Sequence, residues 1–255
     1  MVACRYKALN LWAVENVILL VAVNYLVEVS MMRVVVRVGG SVVGSPLNAP
    51  LIGRYVDLLK ELKLQGHEVV AVVGGGSLAR DFISIAADLG LEEARRDWAA
   101  IHVSRLFAQL FVLGLGEAGC GSVPVSLDEA EACLETGKVV VLGGLRPGMT
   151  TDAVAALIGE RVEADLLVKG SNVDGIFTKD PRKFSDAEKL DALRFDDLSR
   201  LFEANSHRAG IHQVIDPEAV KILQRCRLKT IVVNGYVVEN VLSAVKGERV
   251  GTVIE

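Results

Sequence analysis

At 255 residues the chain is long enough for one full α/β domain or two closely joined lobes. It is 51% hydrophobic but only 5% aromatic, so Val, Leu, Ala and Ile must build the interior, a mixture suited to buried parallel strands covered by helices. The formal charge of −4 argues against a nucleic-acid partner, but not against a small phosphate ligand, which local Arg, Lys and helix N-termini decide.

The first thirty residues stand apart. Val17 to Val23 reads VILLVAV, too short to span a bilayer, and Glu15, Asn16, Asn24 and Glu28 interrupt any longer apolar window. No small-x-small cleavage site follows before Met31. Residues 1–30 read as an extension outside the native protein, with an amphipathic surface helix as the alternative, and no membrane partner is expected.

From Met32 onward, short β-branched runs alternate with helical stretches, the pattern of βαβ units and a mostly parallel sheet. Arg33 to Val38 is a strand ending at Gly39-Gly40-Ser41. Asn48 caps a helix with Leu51, Ile52, Tyr55, Leu58, Leu59 and Leu62 at helical spacing, closed by Gly66. His67 to Val73 is a strand ending at Gly74-Gly75-Gly76, and the next helix is expected to turn Leu78, Phe82, Ile85, Ala86 and Leu89 inward. A helix from about Asp97 to Leu113 follows, then a short one with a Ser126/Glu129 capping box. Lys138 to Leu142 is a strand ending at Gly143-Gly144, Asp152 to Ile158 is helical, and Ala164 to Val168 is a strand. Asp216-Pro217 opens another helix. Strands at Thr230 to Val233 and Val250 to Ile254 flank a helix near Glu239 to Val245.

Cys4, Cys120, Cys133 and Cys226 form no C-x-x-C pair and are expected to be free thiols in a reducing compartment. His67, His102, His207 and His212 show no metal-ligand spacing, so no protein-held metal is expected. His207 and His212 fall in a segment, Asn205 to Val214, that reads as a loop. Asp196 and Asp197 read as helix caps.

Four strand ends carry glycine or polar turns: Gly39-Gly40-Ser41, Gly74-Gly75-Gly76, Gly143-Gly144 and Gly170-Ser171-Asn172. In an open parallel sheet the carboxyl ends of the strands share one edge, where ligands bind. Glycine lets backbone N–H groups approach phosphate oxygens, and a following helix N-terminus favours negative charge. The P-loop pattern is absent, GGGSLAR lacks the G-x-G-x-x-G spacing, and the protein-kinase signatures are missing.

VRVGGS (36–41), VVGGGSLAR (72–80), GGLRPGMTTDAVAAL (143–157), SNVDGIFTKDP (171–181) and IDPEAVKI (215–222) stand in the order found in the amino acid kinase superfamily. Together they resemble its archaeal-type uridylate kinase branch, over essentially Met32 to Glu255. The resemblance implies a three-layer α/β sandwich of the carbamate kinase-like fold, residues 31–160 forming an acceptor-nucleotide lobe and 161–255 an ATP lobe. It implies a cytoplasmic enzyme that phosphorylates UMP from ATP with Mg²⁺, assembled as a homohexamer built from dimers.

Carried over by position, Gly40, Ser41, Gly76, Arg80, Ser171, Asn172, Phe177 and Asp180 resemble ATP contacts. Gly75, Asp97 and the loop Arg146, Pro147, Gly148, Met149, Thr150, Thr151 and Asp152 are similar to the UMP side. Three departures stand out. Arg37 replaces a frequent Lys. Lys169 and Gly170 occupy places more often apolar or small, and Lys169 is read either as reaching a phosphate or as solvating a strand end. Met149 is unusual in its loop.

The nucleophile in such a reaction is a phosphate oxygen already ionised near neutral pH, so no general base is required. The difficulty is bringing two polyanions together, which calls for cations and positioning. Lys221 and Arg37 are expected to neutralise the transferred group, and Asp152 to orient a cation, to cap the following helix, or both. The alternatives are a kinase of the same fold acting on a carboxylate, carbamate or isoprenoid phosphate, and a non-catalytic nucleotide or oxyanion storage protein.

Overall fold

The computed structural model describes residues 31–198 and 214–255, and Met32–Glu255 forms one unit. The N-terminal extension with Cys4, and the loop histidines His207 and His212, lie outside the described residues.

In chain order the elements are β1 (Arg33–Val38), α1 (Gly40–Val43), α2 (Ala49–Leu64), β2 (Glu68–Val73), α3 (Gly76–Asp88), α4 (Glu93–Leu115), α5 (Leu127–Glu135) and β3 (Val140–Leu142). Then come α6 (Thr151–Arg161), β4 (Leu166–Ser171), β5 (Ile176–Phe177), β6 (Lys189–Leu190), β7 (Ala192–Leu193), α7 (Pro217–Cys226), β8 (Thr230–Asn234), α8 (Glu239–Val245) and β9 (Thr252–Ile254). Among the described residues seven strands form one sheet in the order β3-β2-β1-β4-β8-β9-β7, parallel from β3 to β8. β9 runs antiparallel to β8, β7 pairs parallel with β9, and β5 and β6 form a separate antiparallel pair. The short strands β5 to β7 had no apolar run long enough to announce them.

The sheet separates two apolar layers. Strand alternation sends Val34, Val36 and Val38 toward Tyr55 and Leu59 of α2, Phe107 and Phe111 of α4, and Val241 of α8. Val35 points the other way, toward Leu134 of α5, Val154 and Ile158 of α6, and Leu223 of α7. This is the expected three-layer sandwich with a mostly parallel centre. α6 buries Ala153, Val154, Ala155, Ala156, Ile158 and Gly159, and its small residues let it sit close on the sheet.

The expected caps are made. Asn48 Oδ1 accepts from Leu51 N at 3.0 Å, Ser126 Oγ from Glu129 N at 3.2 Å, and Asp216 from Glu218 N and Ala219 N. Glu129 reaches back to Val125 N, one residue earlier than a capping box requires. α4 starts a turn before the expected Asp97.

Two expectations are corrected. On α3 the inner residues are Ala79 and Ala86, whereas Leu78, Phe82, Ile85 and Leu89 are exposed, Leu89 at 72%. The helix lies close on its neighbours through alanines and turns its bulky stripe outward. Cys120 and Cys133 are not free thiols but a disulfide, Cα–Cα 6.1 Å. Cys120 N donates to Val139 O, which lays this segment beside β3 under the helix carrying Cys133. Cys226 is free and half-buried.

By length and composition alone, Glu93–Ala118 could cross a membrane. Its inner face (Ile101, Phe107, Ala108, Phe111, Val112) packs into the core of the domain instead.

Candidate active site

Strand periodicity and one helix start assemble the site's centre. Arg37 and Lys169 are neighbours in register across β1 and β4, on the sheet face shared by Val35 and Leu167. α6 packs over that face, and Asp152 sits in its first turn. Thr150 is the N-cap, its Oγ1 accepting from Ala153 N, so Asp152 does not cap α6 and its carboxylate is left to the cations.

Asp152 bridges both. Arg37 Nε lies 2.6 Å from Oδ1, an ion pair without hydrogen-bond direction, while Lys169 Nζ donates to Oδ2. Asp216 N also donates to Oδ2 at 3.3 Å, and Arg37 NH2 donates to Thr151 Oγ1 at 2.8 Å. Burial pushes the Asp152 carboxyl upward, but Arg37, Lys169 and the Asp216 amide outweigh it and hold it below the usual range. For Lys169 burial dominates: despite Asp152, and with Arg37 opposing, its pKa falls to about 8. Near neutral pH two cations and one anion leave a net positive charge.

The glycine turns crowd around this triad. A Cβ on Gly40 would lie 2.3 Å from Gly76 N, and one on Gly76, at φ +63°, would lie 2.4 Å from Gly40 O. Only glycine allows the first two turns to meet. Ser77 ties the junction together: its N donates to Ser45 Oγ at 2.6 Å while its Oγ donates to Gly44 O at 2.9 Å.

A cavity of about 430 Å³ opens over these groups. It brings together Arg37, Gly40, Ser41, Gly75, Gly76, Arg80, Met149, Thr150, Thr151, Asp152, Ser171 and Asn172 of the residues singled out from sequence. Phe177 and Asp180 line a smaller adjoining pocket that shares Asn172 and Val214 with it. Asp180 is occupied by Arg182, which donates through Nε at 3.0 Å and holds the carboxyl below its usual range. Asp97 and Arg146 to Gly148 stand outside the lining: Asp97 Oδ2 accepts from Gly148 N at 2.7 Å and so anchors the loop.

Lys221 lies apart from the triad. It sits on the exposed face of α7, its side chain 74% accessible and 3.4 Å from Glu218, because Ala219, Val220, Ile222 and Leu223 form the buried stripe. Lys169 supplies the second cation at the triad. Its signal in the sequence is a lysine inside the otherwise apolar strand LLVKGS. The apolar cavity wall (Ile83, Ala100, Ile101) and Ser104 carried no such signal. Among the described residues no group of three or more His, Cys, Asp or Glu is placed to hold a metal.

Cations gathered at strand ends, beside glycine turns that feed the N-termini of α3 and α6, define a protein that binds and transfers phosphoryl groups. Known proteins narrow this class. The model of the amino acid kinase family matches residues 32–234, and the chain belongs to that family. It is 44% identical to the uridylate kinase of Methanocaldococcus jannaschii over 88% of this chain and 100% of that protein. It is 40% identical to that of Natronomonas pharaonis over 87% and 97%. The crystal structure of uridylate kinase from Archaeoglobus fulgidus superposes with TM-score 0.78 at 40% identity, covering 88% of this chain and 100% of that one. UMP kinase from Bacillus anthracis, at 21% identity and TM-score 0.74, shares the fold.

Proposed function

We infer that the chain transfers the γ-phosphoryl group of ATP to UMP, giving UDP and ADP, a step of pyrimidine nucleotide biosynthesis. The observation that carries this reading is the Arg37–Asp152–Lys169 triad, buried where the glycine turns meet. A UMP phosphate oxygen attacks the γ-phosphorus, and the bond to the β-phosphate oxygen breaks with its electron pair leaving on ADP. Asp152, with both oxygens held, orients the cations and takes no proton. Arg37 and Lys169 offset the charge crowded onto the transferred group.

Gly40, Ser41, Gly76, Arg80, Ser171 and Asn172 serve ATP, with Phe177 beside its nucleoside. Gly75 and Met149 to Thr151 serve UMP, and Asp97 with Arg146 to Gly148 shapes that end. Mg²⁺ held on the ATP phosphates would offset part of their charge beside Arg37 and Lys169. The chain fits a nucleotide-borne ion better than a protein-held one, since Asp152 is fully engaged by cations and an amide.

The outward stripe Leu78, Phe82, Ile85 and Leu89 on α3, with Leu106, Leu110 and Leu113 exposed on α4, supports a homo-oligomer, read here as the homohexamer the resemblance implies. The site of action is read as the cytoplasm, as the resemblance implies.

The test is coupled ADP release with Mg-ATP and UMP, CMP, acetylglutamate, carbamate or isopentenyl phosphate. Saturable turnover with UMP is expected. Turnover with another acceptor alone would overturn the assignment.

A further inference from the structure

The segment 143–150 between β3 and α6 makes few bonds to itself: within it, Met149 N donates to Arg146 O at a long 3.3 Å. Its conformation comes from α4. Ser104 Oγ accepts from Gly144 N at 2.7 Å, and Arg105 donates through Nε to Gly144 O at 2.9 Å and through NH2 to Leu145 O at 3.0 Å. One turn-pair earlier on the helix, Asp97 accepts from Gly148 N. The loop backbone also lies directly on the helix, since a Cβ at Gly143 would come within 2.7 Å of Arg105 N.

Of these grips, Arg105 is the one that neither lines the cavity nor was singled out from the sequence. Its guanidinium is held by geometry: two donors meet successive carbonyls, and Cζ lies 5.7 Å from the centroid of the Trp98 ring. The two carbonyls it holds immediately precede Arg146 to Met149. A loop rich in glycine loses this order when the fork is removed, and ordering it must then be met from the binding energy of whatever it encloses.

We propose that Arg105 is a positioning residue for the acceptor nucleotide, pre-setting the loop 143–149 through the Gly144 and Leu145 carbonyls without touching substrate. The proposal rests on the reading of this loop as the UMP side. It sets Arg105 apart from Arg37 and Lys169, whose charges act on the phosphates shared by both substrates.

The experiment measures initial rates with each substrate varied, for the parent protein and Arg105→Ala, Arg105→Gln and Arg105→Lys, with a thermal melt of each. Removal of two hydrogen bonds is expected to raise KM for UMP about tenfold or more in Arg105→Ala while KM for ATP stays within about twofold. Arg105→Lys, with one donor in place of a fork, is expected to fall between the parent and Ala. Unchanged KM for UMP in a folded variant, or an equal rise for both substrates, would overturn the proposal. So would loss of folding in all three variants, which would make Arg105 a structural residue. Failure of the parent to turn over UMP would instead strike the functional reading itself.

Discussion

Lys169→Met keeps an unbranched side chain one atom shorter and removes its charge, which makes it the sharpest test of the triad. Unit charges 4 Å apart at an effective dielectric near 20 interact by about 4 kcal/mol. Loss of one preorganised electrostatic donor from an active site is worth about 2.7–4 kcal/mol, roughly 10²–10³ in kcat. Lys169 is 7% exposed and next to Arg37 in register, so little solvent screens it, and Arg37 remains as the triad's one cation. The expected loss is therefore about 10²–10³ in kcat, read by coupled ADP release.

The pH profile supplies an independent sign. On the proposed mechanism the protonated ammonium is the active form, and its pKa is lowered to about 8. kcat/KM for the parent should fall above about pH 8, and this alkaline limb should vanish in Lys169→Met and in Lys169→Arg, whose guanidinium stays charged. Stability runs the other way. The folded-state pKa lies below the unfolded value of 10.5, so the unfolded chain binds more protons between about 8 and 10.5 and this group's contribution improves as pH rises through that window. Urea titration of Lys169→Met beside the assay separates a kinetic loss from a folding loss. A kcat within threefold of the parent, or an unchanged alkaline limb, would refute the reasoning.

Asp152→Asn should leave Arg37 and Lys169 facing each other without their bridge, lowering stability by about 3–5 kcal/mol in urea titrations and moving the alkaline limb to lower pH. In the parent, Asp152's folded pKa lies below 3.8, so its stabilisation is present above that value and is lost as pH falls through the folded pKa. Lys221→Ala should leave kcat, both KM values and the melting temperature nearly unchanged, because among the described residues it pairs with the exposed Glu218. A tenfold kinetic defect there would restore Lys221 to the site. Reduction of Cys120–Cys133, separated by 13 residues, should lower stability by about 3 kcal/mol, roughly 6–12 °C in calorimetry. Cys120→Ser/Cys133→Ser should melt like the reduced parent, and equal melting with and without reductant would show free thiols in solution.

Much of the fold was legible because its signals are local. Asn48, Ser126 and Asp216 announce three helix starts by chemistry that works within four residues. The valine runs announce β1 and β2 because a strand buried on both faces has no polar side to show. What failed depends on partners distant in sequence or absent from the chain. A stripe such as Leu78, Phe82, Ile85 and Leu89 reports that one helix face is apolar, not whether the domain's own core covers it. Here the alanines took the core, and the stripe was misread as inward. The Cys120–Cys133 pair was missed likewise, since the Val139 bridge that brings it together is a tertiary contact.

The two lysines show why residue type and motif were not enough to place the chemistry. Lys221 stands inside a segment that resembles a family motif, yet a helix presents each residue by angle, and the buried stripe of α7 turns position 221 to solvent. Lys169 stands in a strand, where alternation fixes its face once that of Leu167 is known, and parallel register sets it beside Arg37. A lysine whose neighbours on both sides are buried cannot be solvating a strand end; its charge must be met from within the protein. Asp152 meets it, and the same carboxylate meets Arg37, so one anion holds two cations at the strand ends. Such an arrangement is poorly suited to stability alone, since burial above all, and repulsion from Arg37 with it, lowers the Lys169 pKa. It becomes favourable when a third partner of high negative charge enters the cavity, which is the condition that two nucleotide phosphates create.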